Sequence, residues 1–277
     1  MSTSREVLLP YGLLGERLVS VDKVADGLAC NCTCPACHQP LIARQGARNV
    51  HHFAHANGTT CPHAAQTTAH ILAKNILAQE LHMSVPVAYT MMSTERFIAF
   101  EEQDVRFMSV ALEQRLSSIV PDVVATKEDG TQLIVEIKVK HAVDDGKLDK
   151  IRKLGTDAIE VAIDAEDFYD SGRLREHLLG SVSGKHWLYC RAAQRERERL
   201  FLTAQRIPIV QHGFAIHTAW CPTCARMYHG ESYANVVDDC IGCDNLLTIG
   251  NDDGSIDGEV WCLAPGPHEA SQETLFP

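Results

Sequence analysis

The sequence predicts an α/β fold in which helices flank a mixed β-sheet, with a cysteine-rich module at each end of the chain. Cysteine and histidine concentrate between residues 30 and 63 and again between residues 221 and 243. The segment between them reads as helix, antiparallel strands, helix and strand, which is the order of an α/β sandwich. We therefore divide the 277 residues into an N-terminal module at 1–63, a core at 64–190, and a C-terminal helix and module at 191–277.

The elements of the core follow from apolar periodicity and from helix start and stop signals. One helix is predicted from Ala64 to His82. A second is predicted from Lys147 to Leu154, where acidic residues precede the first turn and Gly155 ends the pattern. Strands are predicted at residues 84–90, 96–100, 105–112, 119–126, 132–139 and 158–163.

The bulk composition bounds the class of protein. A hydrophobic fraction of 45% and a charged fraction of 22% are those of a globular protein and exclude disordered and collagen-like chains. No run of about 20 apolar residues and no secretory signal is present, so we expect a cytoplasmic location and no membrane partner. In a reducing compartment the eleven cysteines predict metal ligands before disulfides. The net charge of −11 argues against a protein that coats nucleic acid by bulk attraction, but not against an enzyme that acts on it.

A predicted hairpin brings two acidic side chains together. Side chains alternate along its second strand, so Glu136 and Lys138 share a face. A three-residue turn with Gly130 in the left-handed region places Asp122 directly across from Glu136, with β-carbons about 5 Å apart. A two-residue turn would shift the register by one residue and put the two carboxylates on opposite faces.

Two carboxylates at this separation repel each other unless a proton or a cation lies between them. A divalent cation, Mg²⁺ or Mn²⁺, held by Asp122 and Glu136 can polarise a phosphodiester and activate water. Lys138 can orient that water or stabilise developing charge. The alternative is a cross-strand salt bridge in which Lys138 neutralises both acids on a solvated sheet face.

The C-terminal module contains two CxxC pairs at a separation typical of zinc ribbons. Four thiolates in tetrahedral reach predict a structural zinc site with no open position. The ligands predicted for this zinc are Cys221, Cys224, Cys240 and Cys243. Cys190 and Cys262 have no second cysteine at the spacing of a CxxC pair, and we expect them not to be ligands.

The N-terminal module offers more candidate ligands than the four that one zinc accepts. The set that we favour is Cys34, Cys37, His55 and Cys61. His52 is the alternative to His55, and Cys30 or Cys32 can be ordinary packed thiols. The sequence therefore predicts two structural zinc ions, one in each terminal module.

Three stretches carry a resemblance to a known family: CPAC followed by HHFAH within residues 34–55, the helix with His70 and Lys74, and PD with EIK within residues 122–138. Together they resemble the competence protein CoiA-like nucleases, a branch of the PD-(D/E)xK phosphodiesterases, over roughly residues 1–165. The resemblance implies a restriction-endonuclease-like fold and metal-dependent hydrolysis of nucleic acid, DNA more than RNA. It also implies Asp122 and Glu136 as ligands, with Lys138 as the third member.

One position departs from the family pattern. The family's helix carries Glu-Ser or Glu-Thr ahead of its histidine, whereas this chain has Gln66-Thr67. Gln66 remains a catalytic candidate, but it brings no charge to a metal. The residues predicted to contact nucleic acid are Lys74, Lys147 and Lys150.

The sequence leaves two functions open. The first is a nuclease in DNA uptake, repair or defence. The alternative is a weak or inactive nuclease fold that serves as a zinc-dependent module for binding nucleic acid or, through its C-terminal zinc module, a protein partner. The sequence does not indicate an oligomeric state.

Overall fold

The computed structural model of the protein describes residues 8–48, 50–92, 95–139, 142–164, 169–224, 226–250 and 258–265. The α-helices are α1 (Ala64–Glu80), α2 (Asp145–Leu154), α3 (Ser171–Gly180) and α4 (Arg191–Thr203). The strands that precede α1 are β1 (Tyr11–Leu14), β2 (Arg17–Ser20), β3 (Leu41–Arg44) and β4 (His52–His55). The middle strands are β5 (His82–Val85), β6 (Ala88–Met92), β7 (Glu95–Phe100), β8 (Gln103–Leu112), β9 (Val123–Lys127), β10 (Gln132–Lys138), β11 (Asp157–Ala162) and β12 (Lys185–Tyr189). The last strands are β13 (Gln205–His212), β14 (Ala215–Thr218), β15 (Arg226–Tyr228), β16 (Glu231–Tyr233), β17 (Leu246–Ile249) and β18 (Glu259–Cys262).

This element content confirms a mixed α/β protein. The chain divides into two compact units, the first made of Met1–Pro86 and Glu102–Cys190, the second of Val87–Glu101 and Arg191–Pro277. The segment 87–101, with β6 and β7, therefore belongs to the second unit although it lies inside the predicted core segment. Within the described part of the chain, no helix is long and apolar enough to cross a membrane.

The first unit is built on a six-stranded mixed sheet in the order β12-β11-β10-β9-β8-β5. Only β10 and β11 pair in parallel, and α2 lies between them in sequence. A parallel pair requires such a crossover connection, because the chain must return to the starting edge. The sequence Leu-Ile-Val-Glu-Ile along β10 is buried on both faces, as expected of a central strand covered on both sides.

Helix α2 forms where the sequence predicts it. Asp144 is its N-cap and accepts a hydrogen bond from the backbone N–H of Lys147, while Gly155 ends it in the left-handed region. Its buried residue Ile151 packs against Ile134 of β10 and Ala158 of β11. The helix therefore covers the sheet face that also carries Glu136, two residues beyond Ile134 on the same strand.

Several element boundaries differ from the sequence prediction, and the strand predicted at residues 119–126 begins only at Val123, as β9. Helix α1 ends at Glu80 because Leu81 adopts the left-handed region, at φ 57°. The strand predicted at residues 84–90 is two strands, β5 and β6, which lie in different units. Pro86 stands between them, and proline has no N–H to donate to a strand ladder.

The β9–β10 hairpin has the predicted register. The backbone N–H of Lys127 donates to Thr131 O at 2.7 Å, and Gly130 has φ +78°, as a three-residue turn requires. The ladder runs to the pair Val123 and Val135. The ladder ends there, and Asp122 directly precedes β9, beside Glu136 of the partner strand.

The second unit is built on a four-stranded antiparallel sheet in the order β14-β13-β18-β17. Leu200 of α4, Leu247 of β17 and Trp261 of β18 form an apolar cluster, and Phe201 contacts the Trp261 ring edge-on with centroids 5.0 Å apart. The hairpins β6–β7 and β15–β16 are the other paired strands of this unit in the described residues. A separate cluster of this unit contains the cysteines of both CxxC pairs.

Candidate metal centres

Three adjacent strands of the first unit place three carboxylates in a row. Glu136 of β10 pairs in register with Glu160 of β11, so both side chains leave the sheet on the same face. Asp122 precedes β9 and lies on the other side of Glu136 in the register of the hairpin. The row is Asp122, Glu136 and Glu160, read across β9, β10 and β11, and we call it the carboxylate row.

Asp122 is fixed from two directions. Its Oδ2 accepts a hydrogen bond from the backbone N–H of Ile137 at 2.8 Å and lies 3.0 Å from Nε2 of His70 on α1. Burial alone would raise the pKa of Asp122, but the hydrogen bond and charge of His70, with smaller effects of Ile137 and Lys147, lower it below its usual value. Asp122 is therefore held as a carboxylate.

Glu136 differs from Asp122 because its pKa is raised and not lowered. It is only 3% exposed, and Lys147 of α2 donates to its Oε2 at 2.7 Å. Among the described residues, its buried Oε1 has no hydrogen-bond partner. Burial, reinforced by the negative charge of Asp122 and opposed by Lys147, raises the pKa of Glu136 to about 7. The site thus contains a buried oxygen that lacks a donor or a cation.

Lys138 does not neutralise the two acids that the sequence paired with it. Its Nζ lies 3.3 Å from Oε1 of Glu160, and the side chain is 35% exposed. Oε2 of Glu160 accepts the backbone N–H of Val143 at 2.8 Å. The solvated salt bridge between Lys138 and both hairpin acids is therefore wrong, because Glu136 is buried and pairs with Lys147 of the covering helix.

The remaining predicted contacts lie around this row. Gln66 is half-buried on α1, one turn before His70, and so lies on the helix face that reaches Asp122. Lys74, one turn beyond His70, is 5% exposed and forms an ion pair with Glu113, which leaves it closed to a nucleic acid in this structure. Lys150 of α2 is exposed.

The N-terminal module gathers a second set of ligands. The ligand atoms of Cys34, Cys37 and His55 all lie within 4.8 Å of one another, with Cys37 Sγ and His55 Nε2 3.3 Å apart. The backbone N–H of Cys34 closes the CPAC loop on Gln39 O at 2.9 Å, and the β3–β4 hairpin delivers His55. This cluster can bind a metal such as zinc.

Cys61, predicted as the fourth ligand, is not in the group whose ligand atoms lie within 4.8 Å of one another. Burial alone would raise the pKa of Cys37, but hydrogen bonding to the backbone of Gln39 and to the thiols of Cys34 and Cys61 lowers it below its usual value.

The C-terminal cysteines surround one small cavity. The four thiols of the two CxxC pairs line a space of about 20 Å³, and the backbone N–H of Cys224 donates to Cys221 Sγ at 3.2 Å. Burial and the neighbouring thiols raise the pKa of Cys240 to about 12. Among the described residues, only the Cys34, Cys37 and His55 group has three ligand atoms within 4.8 Å of one another, so the C-terminal thiols are more widely spaced.

Residues 25–64 match the family model described as competence protein CoiA, N-terminal domain. This segment is CoiA-like. The match confirms the family resemblance over these residues, which include the whole N-terminal ligand cluster. Neither a curated protein nor a solved structure matches the chain.

Within the CoiA-like segment, the strand geometry favours His55 over His52 as a ligand. The two residues are three positions apart on β4, so their side chains leave opposite faces, and His52 Nδ1 bonds Val50 O at 2.8 Å instead. Cys30 Sγ donates to Leu41 O and Cys32 Sγ to Cys30 O, as packed thiols do. Burial raises the pKa of Cys32 to about 12.

Three contacts at these candidate sites, all outside the CoiA-like segment, were not predicted from the sequence. Glu160 completes the carboxylate row, and its only sequence signal is an acid inside the apolar run Ala-Ile-Glu-Val-Ala. Lys147, which the sequence predicts to contact nucleic acid, pairs with Glu136, a contact that the sequence did not indicate. Cys262, expected not to be a ligand, lines the same cavity as the two CxxC pairs.

Proposed function

We propose that this protein is a cytoplasmic, divalent-metal-dependent nuclease that hydrolyses phosphodiester bonds, of DNA in preference to RNA, at the carboxylate row. The supporting observation is the buried Oε1 of Glu136, which has no partner among the described residues and lies in a row with two further acids beside Lys138. We assign the first unit to the restriction-endonuclease type of fold, because a mixed sheet with an acidic hairpin between α1 and α2 is what that resemblance implies.

The residues present suit a hard divalent cation such as Mg²⁺ or Mn²⁺, which takes oxygen ligands. Asp122 is ionised, and the unpartnered oxygen of Glu136 is available once its proton leaves. These two would hold the cation. When bound, such a cation polarises the phosphate and lowers the pKa of bound water.

The side chains of the chain itself then have distinct tasks. His70 fixes the orientation of Asp122, and Lys147 restrains Glu136 through its other oxygen. Glu160 holds the ammonium of Lys138 at the open side of the row, where it can donate to a phosphate oxygen or orient water. Gln66 can accept a hydrogen bond through its amide oxygen but adds no charge.

The CoiA-like segment supports a competence-related role, in which the nucleic acid would be DNA taken up by the cell. We further propose that each cysteine cluster binds a structural zinc ion. The N-terminal ligands are Cys34, Cys37, His55 and Cys61. The C-terminal zinc is held by thiols of the two CxxC pairs, Cys221, Cys224, Cys240 and Cys243.

A second function has support of its own. Gln66 stands where the family has an acid, and the net charge of −11 disfavours tight binding to nucleic acid. In this alternative the nuclease fold is weak or inactive, and the zinc modules bind nucleic acid or a protein partner.

Cleavage of plasmid DNA with and without Mg²⁺ or Mn²⁺ separates the two functions. We expect metal-dependent cleavage that falls at least ~100-fold in Glu136→Ala, because a few kcal/mol of transition-state stabilisation are lost. The matched control is Glu128→Ala, an exposed acid in the turn of the same hairpin, which should cleave like the parent. If folded parent protein with full zinc content does not cleave in either metal, the nuclease proposal is wrong and the binding module is favoured.

A further inference from the structure

The second unit contains a cavity whose described lining residues include none of the metal ligands proposed above. Its volume is about 470 Å³, within the range of ~300–1,000 Å³ that small-molecule pockets occupy. All of its described lining residues belong to this unit, and most lie on β14 and on the β15–β16 hairpin. The lining includes four aromatic rings and one acid: His217, Tyr228, His229, Tyr233 and Glu231.

The β15–β16 hairpin places three of these side chains on one face. Tyr228 and Glu231 form a cross-strand pair, and Tyr233 follows Glu231 by two residues on the same strand. Opposite residues of an antiparallel pair share a face, as do residues two apart on one strand. His229 and Gly230 make the two-residue turn between the strands, and both have positive φ, at 49° and 88°. The turn that fixes the register therefore also brings the ring of His229 to the cavity.

Hydrogen bonds to β14 hold this hairpin in place. The backbone N–H of Thr218 donates to Ala234 O at 2.9 Å, and the N–H of Ala234 donates to the Thr218 hydroxyl oxygen at 2.9 Å. Thr218 is buried, so water does not compete for these bonds. On the neighbouring residue of β14, the ring of His217 meets that of Tyr233, with centroids 5.3 Å apart. The walls of the cavity are therefore set by paired strands.

The rings of the cavity meet at steep angles and not in parallel. The interplanar angle is 66° between His217 and Tyr233, 81° between Tyr228 and Tyr233, and 74° between Tyr228 and His229. A nucleobase binds by lying parallel to an open ring face. Rings at steep angles instead form adjacent walls of a box, which is the arrangement of the aromatic cages that bind alkylammonium ions.

The charge of the lining also favours a cation. Glu231 is exposed, and its side chain has no ion-pair partner among the described residues. Arg226 stands opposite Tyr233 on the hairpin, but its guanidinium pairs with Asp239 at 2.7 Å. Neither lysine nor arginine is among the described residues that line the cavity. A phosphodiester would therefore meet a charge of its own sign at Glu231, whereas an ammonium ion meets the opposite charge.

We propose that this cavity binds an alkylammonium group, as carried by a quaternary ammonium compound or a methylated lysine side chain. The group lies against the rings of Tyr228 and Tyr233, and Glu231 is its counter-ion. Tyr228 is 55% exposed, so the group can enter from solvent. This inference goes beyond the proposed function and does not depend on nuclease chemistry or on either zinc site.

Calorimetric titration of the full-length protein with choline tests the site. The comparison probe is the uncharged isostere in which carbon replaces the quaternary nitrogen. It should bind at least ~10-fold more weakly, because neither the rings nor Glu231 attract it electrostatically. Tyr228→Leu should weaken choline binding about 10-fold and Glu231→Gln about 3-fold, whereas Tyr228→Phe keeps the ring and should bind like the parent.

Two substitutions elsewhere in the unit are the controls. Met227→Leu changes an exposed residue on the other face of β15, and Asp244→Asn removes an exposed acid that does not line the cavity. Both should bind choline like the parent. Tyr228 and Glu231 are also exposed, so their variants should melt with the parent, which separates loss of binding from loss of fold.

Further probes identify the source of the group and the competing ligand. A peptide with trimethyllysine that binds more tightly than choline assigns the cavity to a protein partner, and the reverse order assigns it to a small molecule. Equal binding of choline and its isostere overturns the proposal, as does choline binding that Tyr228→Leu and Glu231→Gln leave unchanged. Absence of saturable binding of choline and of the peptide up to roughly 10 mM also overturns it. If single-stranded oligothymidine then binds and Tyr228→Leu weakens it, the rings are a nucleobase site instead.

Discussion

The carboxylate row and the N-terminal thiol cluster gather potential metal ligands in the same unit but balance their charge in different ways. In the row, basic residues from two helices lie against the acids: His70 from α1 against Asp122, and Lys147 from α2 against Glu136. In the cluster, Cys34, Cys37 and His55 lie against one another. The row is thus partly neutralised by the protein, whereas the cluster requires a cation to hold several thiolates together.

This difference predicts different couplings between metal and fold. A metal can bind at the row and dissociate from it without loss of the fold, because Lys147 and His70 keep the acids in place. A metal at the cluster contributes directly to the stability of the fold, since the ligands are otherwise joined only by short loops and the β3–β4 hairpin.

The largest effect should follow from removing a thiol of the cluster. Cys37→Ser should release one zinc equivalent and lower the free energy of unfolding by at least ~3 kcal/mol, because structural zinc binding is folding energy. Zinc analysis and chemical denaturation of the full-length protein measure both. The control is Cys32→Ala, a buried thiol of the same segment that bonds the Cys30 carbonyl; it should lose some packing energy but keep its zinc. A Cys37→Ser protein with unchanged zinc content would remove this cysteine from the ligand set.

The next effect tests the row and has the opposite sign. The folded pKa of Glu136, about 7, lies above its ordinary value of 4.5. The stability that this residue contributes is therefore fully present below pH 4.5 and is lost as the pH rises to about 7. Glu136→Gln should match the parent near pH 4.5 and exceed its stability at pH 8 by about 1 kcal/mol. The full pKa shift of Glu136 corresponds to ~3 kcal/mol. The net gain of the variant is smaller because Lys147 loses its ionised partner.

Unfolding curves at pH 4.5, 6 and 8, in the absence of divalent metal, measure this difference. Glu128→Gln in the exposed turn of the same hairpin controls for the loss of one acid. If Glu136→Gln is less stable than the parent at pH 8, the ion pair with Lys147 outweighs burial, and the row is stabilised by its own cations without any metal.

Local patterns predicted the parts of these sites that local geometry determines. Gly130 fixes the turn, the turn fixes the register as far as the pair Val123 and Val135, and Asp122 directly precedes this pair. Asp144 and Gly155 likewise fix the ends of α2. The CPAC spacing placed Cys34 beside Cys37 in the same way.

The missing parts depend on contacts between elements that are distant in sequence. Glu160 joins the row only because β11 pairs in parallel with β10, and no spacing rule connects it to Glu136. Lys147 carries the sequence signal of a surface cation, yet α2 packs its first turn over the row. Cys262 reaches the thiol cavity through the pairing of β18 with β13 and β17. Lys74 is buried against Glu113, which lies 39 residues away in sequence and directly after β8.

The smallest expected effect concerns the cations that remain open beside the row. Lys147 is committed to Glu136, but Lys150 is exposed one turn further along α2 on nearly the same side. If DNA crosses the row, Lys150→Ala should remove one phosphate contact. The slope of log K against log salt should then become less steep by about 1, and affinity should fall only a few-fold.

The control is Lys153→Ala, which removes an equally exposed lysine further around the helix and should leave that slope unchanged. Binding measured across a salt series, with Ca²⁺ in place of Mg²⁺ to prevent cleavage, compares the two variants. Equal slopes for Lys150→Ala and the parent would mean that DNA does not approach along this side of α2, and that the charge on this helix serves only to hold Glu136.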